Sequence, residues 1–408
     1  MDAGGKARRI SVLGATGSVG RSTLNIIADQ RKQFGEDSLH IVALAARQNV
    51  ADLAAMARQF RPDFVAIADE SCGNDLRDAL SGTSITFGAG PAAVEEAAAR
   101  EADWTMAAIM GAAGLRSTLQ VANRGGAIAI ANKESLVCAG ALLMRTCART
   151  GAKILPVDSE HNAIFQVLDP KRRSAVVRIV LTASGGPFRT WTLDQMKTAT
   201  PEQAIAHPIW SMGAKISVDS ANLMNKGLEM IEACHLFDAS SDQIDVLVHP
   251  QSVVHGLVEY TDGSVLAQLG PADMRVPIAS AFAWPDRIST PCERLDLARM
   301  ARLDFEAPDE QRFPALGLAR TAMSAGDVAC TALNAANEIA VAAFLDGGIG
   351  FLDIASLVSD VLEAGHPDGG AWEGAPEDYE IVFDIDRLAR DCAHVLLSKK
   401  YHENKSLN

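Results

Sequence analysis

Aromatic residues make up only 5% of this 408-residue chain, and Lys and Arg are outnumbered by Asp and Glu, 37 to 51. The resulting formal charge of −14 excludes a protein held to nucleic acid or to a membrane surface by its overall charge. No apolar run approaches the length of a membrane span, and Met1–Arg9 holds no apolar signal core. The seven cysteines (Cys72, Cys138, Cys147, Cys234, Cys292, Cys330 and Cys392) are odd in number, scattered, and never spaced C-x-x-C. That pattern excludes a disulfide framework and a zinc ribbon, and suits free thiols in a reducing cytoplasm. Internal repeats and low-complexity tracts are missing as well. What is present is a 48% apolar fraction, enough to fill a sizeable core. At roughly 100–200 residues per domain, the length predicts two to four domains.

The first third alternates short aliphatic strands with helical stretches. Strands are expected at Arg9–Leu13, His40–Ala45, Asp63–Ala68, Ala127–Ala131 and Lys153–Val157, with a helix over Ser18–Gln30. Continuous apolar strands separated by helices predict a parallel, doubly wound sheet covered on both faces. After Val157 the character changes. Ala175–Thr182, Asp245–His249, Val253–Tyr260 and Val265–Leu269 read as strands, the last two joined by the turn Thr261-Asp262-Gly263-Ser264. Between Ser184 and Ser217 few residues repeat at core spacing, so a mobile loop is expected, with one short helix signal at Thr200-Pro201-Glu202-Gln203. Residues 285–312 are rich in proline and charge and read as a linker. Beyond it the chain turns helical: Ile354, Leu357, Val358, Val361 and Leu362 share one face, and Leu388, Cys392, Val395 and Leu396 share another behind Asp384 as cap.

Strand Ile10–Leu13 runs into Gly14-Ala15-Thr16-Gly17-Ser18-Val19-Gly20 and then a helix. Glycines there permit a tight turn and let backbone N–H groups approach a pyrophosphate at the helix N-terminus. The spacing is G-x-x-G-x-x-G rather than G-x-G-x-x-G, with Thr16 where the second glycine usually sits. The second strand ends Ala45-Ala46-Arg47-Gln48-Asn49, without the carboxylate that an NAD ribose requires, so NADP is favoured with Arg47 toward its 2′-phosphate. Asn132-Lys133-Glu134 follows strand Ala127–Ala131, over the ligand crevice of a parallel sheet, although Asn132 equally suits a helix cap there.

Acids and amides gather further along. Asp158 and Glu160 flank Ser159 at a strand end; alone the pair reads as an exposed acidic turn, but an extended chain would point both carboxylates one way, toward a hard cation such as Mg²⁺ or Mn²⁺. In Ser217–Glu232, Asn225 and Glu229 share a helical face, and Ser220, Asn225 and Lys226 suit a phosphate. Glu232 reads as a solvated residue. His207, Trp210 and Met212, on a loop flanked by glycine, form a lid candidate, whereas His249 and His255 read as structural.

Gly14–Gly20, Asn132-Lys133-Glu134-Ser135, Asp158–Ala163, Leu181–Phe188, His207–Glu229 and His249–His255 together, in this order, resemble the 1-deoxy-D-xylulose 5-phosphate reductoisomerase family. The resemblance implies isomerisation of a sugar phosphate and its reduction by NADPH, with a divalent metal (Mg, Mn or Co), in non-mevalonate isoprenoid precursor synthesis. It implies Asp158, Glu160 and Glu229 as metal ligands, and Ser184, His207, Ser220, Asn225 and Lys226 around the phosphate. Lys133 and Ser159 would contact the sugar, and Trp210 would cover it. Gly14, Thr16, Gly17, Ser18, Val19, Ala46, Arg47, Gln48, Asn49, Asn132, Glu134 and Gly213 would line the NADPH site. Arg47-Gln48 stands where some members have Gly-Lys.

The expected fold class is α/β: a Rossmann-like NADPH-binding domain (1–157), a catalytic, metal and dimerisation domain with a lid loop (158–284), the linker, and a helical domain (313–408). A homodimer is expected, with no nucleic-acid or membrane partner. Two rivals share the glycine turn. A semialdehyde dehydrogenase would need Cys138 as nucleophile, and a non-catalytic NADP-binding regulator would use the acids only for structure.

Overall fold

Seven short strands, β1 (Arg8–Leu13), β2 (Leu39–Ala46), β3 (Phe64–Ile67), β4 (Thr86–Ala89), β5 (Trp104–Ala107), β6 (Ala127–Ile130) and β7 (Lys153–Pro156), form one sheet in the order β4-β3-β2-β1-β5-β6-β7. All its pairings are parallel. The computed structural model describes residues 7–399 except 112, 211 and 368. Residues up to Ser135 with Leu143–Asn162 and Asp273–Glu293 make one unit; Leu136–Leu142, Ala163–Ala272 and the chain from Arg294 make a second. These groupings cut differently from the expected domains, since Asp273–Glu293 joins the first unit and the C-terminal helices join the central sheet.

The first unit matches the expected Rossmann-like sheet because its strands are apolar on both faces. Ile10, Val12, Ile41, Leu44, Val65, Met106 and Ile128 are all buried. Two strands escaped the sequence reading. The β4 strand has exposed Thr86 and Phe87 at the sheet edge, and β5 follows directly on the polar Glu101-Ala102-Asp103. Trp104 in β5 is fully buried, packs edge-on against Phe282 at 5.3 Å and donates from Nε1 to the Ala281 carbonyl at 3.1 Å.

In the second unit, β8 (Val176–Ala183), β9 (Ile244–Val248), β10 (Val254–Tyr260) and β11 (Val265–Leu269) lie in the order β11-β10-β8-β9. The expected hairpin is β10 and β11, antiparallel, and β9 runs parallel to β8. The expected mobile loop after Ser184 is instead partly folded. Helices Leu193–Met196 and Pro201–Ile205 each begin with a Thr–Gln capping box, and Phe188, Met196 and Ala204 are fully buried.

Helices Ala315–Ala325, Asp327–Leu345, Phe351–Ala364 and Tyr379–Leu397 complete this unit. Contrary to the expectation from composition, Asp327–Leu345 is long and apolar enough to cross a membrane, the one such helix among the described residues. It is a core helix: two-thirds of its apolar window is buried, with Asn334 and Asn337 buried inside it. The Phe351–Ala364 helix buries Ile354, Leu357, Val358 and Val361 as expected. The last helix does not follow its predicted face. It is capped by Asp378 and buries Val382, Ile385, Ala389, Ala393 and Leu397, leaving Val395 half exposed. Alanines allow close helix packing, and a pattern read from large side chains alone passes over them.

Candidate active site

The glycine turn is built from backbone. The order of the first sheet reverses beside β1, between β2 and β5, which is where ligands enter open α/β sheets. Gly14 ends β1 at φ 93°, its N–H donating to the Ala45 carbonyl at 2.9 Å. A Cβ at Gly14 would lie 2.4 Å from the Ala108 oxygen beyond β5, and one at Gly20 would lie 2.2 Å from the Gly14 oxygen. The glycines therefore let the turn, β5 and helix Ser18–Phe34 approach one another closely. Gly17 caps that helix without a side-chain bond, leaving Thr16, Gly17, Ser18 and Val19 at its open N-terminus. After β2, Arg47, Gln48 and Asn49 are exposed while Ala46 is buried. Asn49 caps the next helix through the Asp52 N–H at 3.2 Å. Sequence reasoning missed Arg21, which binds the Thr16 carbonyl at 3.0 Å and also pairs with Asp52, tying the glycine turn to the first turn of the helix after β2.

Asn132 turns out to serve the cap. Its Oδ1 accepts from the Ser135 N–H at 2.8 Å, and its amide donates to the Ile109 carbonyl at 2.7 Å and the Glu134 carboxylate at 2.8 Å. It is buried and fixes the loop after β5. Asp158 and Glu160 follow β7, but the chain is not extended there. Helix Ser159–Val167 starts at once, so Glu160 sits in its first turn with its N–H bonded to Asp158 Oδ1 at 3.2 Å. Lys133 Nζ pairs with Asp158, and Ser159 Oγ donates to Glu160.

The second unit gathers the phosphate candidates. His207 Nδ1 accepts the backbone N–H of Trp210 at 2.9 Å, so the ring proton sits on Nε2, which donates to Ser184 Oγ at 2.8 Å. Burial pushes the His207 imidazole below its ordinary pKa, which keeps this neutral form. Ser184 Oγ also accepts from the Gly186 N–H at 3.1 Å. Gly185 and Gly186 take φ of 82° and 66°, and a Cβ at Gly186 would meet the Ser220 carbonyl oxygen at 2.7 Å. The glycines thus bring the Ser184 loop against the end of helix Ala214–Ala221, of which Gly213 is the cap. Trp210 and His255 lie edge-on at 6.2 Å.

Helix Met224–Phe237 begins after Leu223, whose φ of 63° breaks the run that the sequence suggested was continuous. Asn225 and Glu229 do share a face: Asn225 Nδ2 donates to Glu229 Oε1, and Lys226 Nζ binds Oε2, with Lys226 and Glu229 both buried. Glu232 is buried too, not solvated. Asp219, also missed, is buried between Lys215 at 3.0 Å and Asn337 Nδ2 at 2.8 Å, fixing helix Ala214–Ala221 on the core helix. Cys138 is buried inside helix Glu134–Thr150, where a helical thiol without solvent access does not suit a dehydrogenase nucleophile.

The donor chemistry fits a hard divalent cation. Asp158, Glu160 and Glu229 are all oxygen donors, and within its own unit each carboxylate is held by an ammonium or hydroxyl partner. A lysine ammonium supplies locally the positive charge that a bound cation would bring.

A glycine turn at the switch point of a parallel sheet defines a dinucleotide-binding α/β protein. The family described as 1-deoxy-D-xylulose 5-phosphate reductoisomerase matches residues 10–140, and its C-terminal domain families match 154–237 and 269–392. The protein of that name from Rhodospirillum centenum is 63% identical over 87% of both chains, and that from Caulobacter vibrioides is 54% identical over 96% of this chain and 97% of its own. Among solved structures, the Zymomonas mobilis reductoisomerase in complex with NADPH is 50% identical with a TM-score of 0.89, covering 96% of this chain and all of its own. A reductoisomerase complex with NADPH, fosmidomycin and magnesium is 42% identical with a TM-score of 0.90, covering 96% and 98%. The chain belongs to the 1-deoxy-D-xylulose 5-phosphate reductoisomerase family.

Proposed function

We propose that this chain rearranges 1-deoxy-D-xylulose 5-phosphate and reduces the product with NADPH to 2-C-methyl-D-erythritol 4-phosphate, in isoprenoid precursor synthesis. The observation that carries the reading is whole-length identity to reductoisomerases, joined to a glycine turn at the switch point and a fitting acidic donor set. In this reading residues 1–157 serve NADPH, through Gly14, Thr16–Val19, Ala46–Asn49, Asn132 and Glu134, with Gly213 contributed from beyond that segment. Residues 158–284 serve metal, substrate and dimer, and 313–408 give helical support.

Asp158, Glu160 and Glu229 are assigned as ligands of Mg²⁺, Mn²⁺ or Co²⁺, which supplies Lewis acidity toward the substrate's carbonyl and hydroxyl oxygens. Lys226 carries the positive charge for the phosphate, and Ser184, Ser220 and Asn225 complete its hydrogen bonds. His207 orients the Ser184 hydroxyl, as its Nε2–H bond to Oγ supports. Remote phosphate binding holds a small substrate in a reactive pose without touching the reacting carbons. Lys133 and Ser159 contact the sugar, and Trp210 covers it and excludes water.

A second copy of the chain is the expected partner. The β11 strand lies at the edge of its sheet with Val265 and Leu266 half exposed, a surface suited to pairing. Sedimentation at micromolar concentration is expected to give a dimer, and a monomer would contradict that assignment. The proposed location is the cytoplasm. For the reaction itself, incubation with substrate, NADPH and Mn²⁺ is expected to yield 2-C-methyl-D-erythritol 4-phosphate by mass spectrometry. Unaltered substrate, with folded protein that binds NADPH, would overturn the reading.

A further inference from the structure

The second half of the stretch that reads as a linker is hydrogen-bonded along its length to the two loops beside Ser184. Glu306 exchanges both backbone hydrogen bonds with Val248, the last residue of β9, each at 2.9 Å, and its carboxylate pairs with Arg189. Two residues earlier, Asp304 accepts at its carbonyl from His249 Nδ1–H at 2.8 Å. Its N–H donates to Gln251 Oε1 at 3.2 Å, and its Oδ2 accepts from Gln251 Nε2 at 2.6 Å. Phe305 lies flat on the His249 ring, with centroids 4.7 Å apart. Six residues beyond Glu306, Arg312 Nη1 donates to the carbonyls of Arg189 at 2.9 Å and Trp191 at 2.7 Å, and Asp309 steadies its Nε at 2.8 Å.

These bonds converge on one place. The His249 N–H donates to the Ala183 carbonyl at 2.7 Å, so the loop after β9 is joined to the residue before Ser184. A Cβ at Gly185 would meet the Arg189 side chain at 2.6 Å and Val248 at 3.0 Å, the two residues that Glu306 holds. The Ser184–Gly186 loop is therefore fixed from both flanks by a segment distant in sequence. Backbone at left-handed φ, as at Gly185 and Gly186, persists where its surroundings over-determine it.

We propose that Asp304–Arg312 is a strap that positions the Ser184 phosphate loop, with Arg312 and Glu306 as positioning residues for substrate affinity. This rests on the assignment of Ser184 to the substrate phosphate. None of the strap residues belongs to the first unit, so its action is confined to the substrate half. Loosening a loop that binds a remote phosphate weakens substrate binding more than it slows bound substrate, and leaves NADPH binding alone.

The test uses the full-length enzyme. Arg312→Ala and Glu306→Gln are compared with the parent for KM and kcat toward 1-deoxy-D-xylulose 5-phosphate, NADPH affinity by fluorescence, and thermal midpoint. For Arg312→Ala the expected result is a KM raised about tenfold, with kcat within about twofold and NADPH affinity unchanged. Arg312→Lys, whose ammonium can donate to the same two carbonyls, is expected to recover most of that loss. Glu306→Gln, which keeps the backbone pairing, is expected to raise KM about threefold. Unchanged KM in Arg312→Ala, or NADPH affinity that falls in step with it, would overturn the strap. Absence of turnover by the parent would instead overturn the functional reading beneath it.

Discussion

The two candidate sites of this protein are built by different means. The candidate cofactor site uses backbone: close approach at Gly14 and Gly20, an open helix N-terminus at Gly17, and a helix start held through Arg21 and Asp52. The candidate substrate site uses side chains compensated against one another, as in buried Lys226 with Glu229 and the Ser184–His207 hydrogen bond. Backbone sites depend on shape and fail when a Cβ is added. Side-chain sites depend on charge balance and fail when one partner is neutralised.

The largest effect that would break this contrast is at the turn. Gly14→Ala sets a Cβ 2.4 Å from the Ala108 oxygen at φ 93°, and should lower NADPH affinity about 100-fold by fluorescence titration. Unchanged affinity would mean that the turn is not shaped for the cofactor. Next comes charge balance. Glu229→Gln removes the carboxylate charge bonded to the buried Lys226 ammonium, so stability should fall by roughly 3 kcal/mol. Calorimetric Mn²⁺ affinity should fall at least about tenfold. An unchanged Mn²⁺ isotherm would remove Glu229 from the metal set.

A smaller effect sharpens the role of His207. Burial depresses the imidazoles of His207, His235 and His255 below the ordinary value of 6.5. Their stabilising contribution is full above the unfolded value and is lost as pH falls below it, because the unfolded chain then takes up protons first. Protonation of His207 also removes the acceptor at Nδ1 that holds the Trp210 and Ile209 N–H groups. The thermal midpoint should therefore fall between pH 7 and pH 5, with a shallower slope in His207→Gln. Equal slopes would detach His207 from that dependence. The smallest effect is expected at Cys138→Ser, buried in a helix and without a catalytic task, where activity should stay within about twofold. Complete loss would revive a thiol-dependent dehydrogenase.

The same contrast governs what could be read from the sequence. Spacing located the glycine turn, because close backbone approach restricts a position to glycine and so leaves a visible trace. It also paired Asn225 with Glu229 by helical periodicity, and the structure agrees. It did not anticipate that Leu223 would break the helix, or that Ser159 would begin one and place Glu160 in a first turn. Both depend on local backbone choices that side-chain type leaves open. The pairing of Lys133 with Asp158 has no one-dimensional signature, because the partners lie 25 residues apart, whereas Lys226 and Glu229 lie three apart on one helix, where periodicity could have shown the pair. The strap was hidden for a related reason: a Pro- and charge-rich stretch reads as a linker, while its bonds at Asp304, Glu306 and Arg312 run to residues 53 to 123 positions away.

In the proposed function one chain joins a backbone-built NADPH site to a metal-dependent sugar-phosphate site. The direct measurement is NADPH oxidation with 1-deoxy-D-xylulose 5-phosphate, run with Mn²⁺ and again with excess chelator, while NADPH binding is followed in parallel. Oxidation is expected with Mn²⁺, none with chelator, and cofactor binding in both. Oxidation that survives the chelator, or no oxidation by protein that binds NADPH and Mn²⁺, would contradict it.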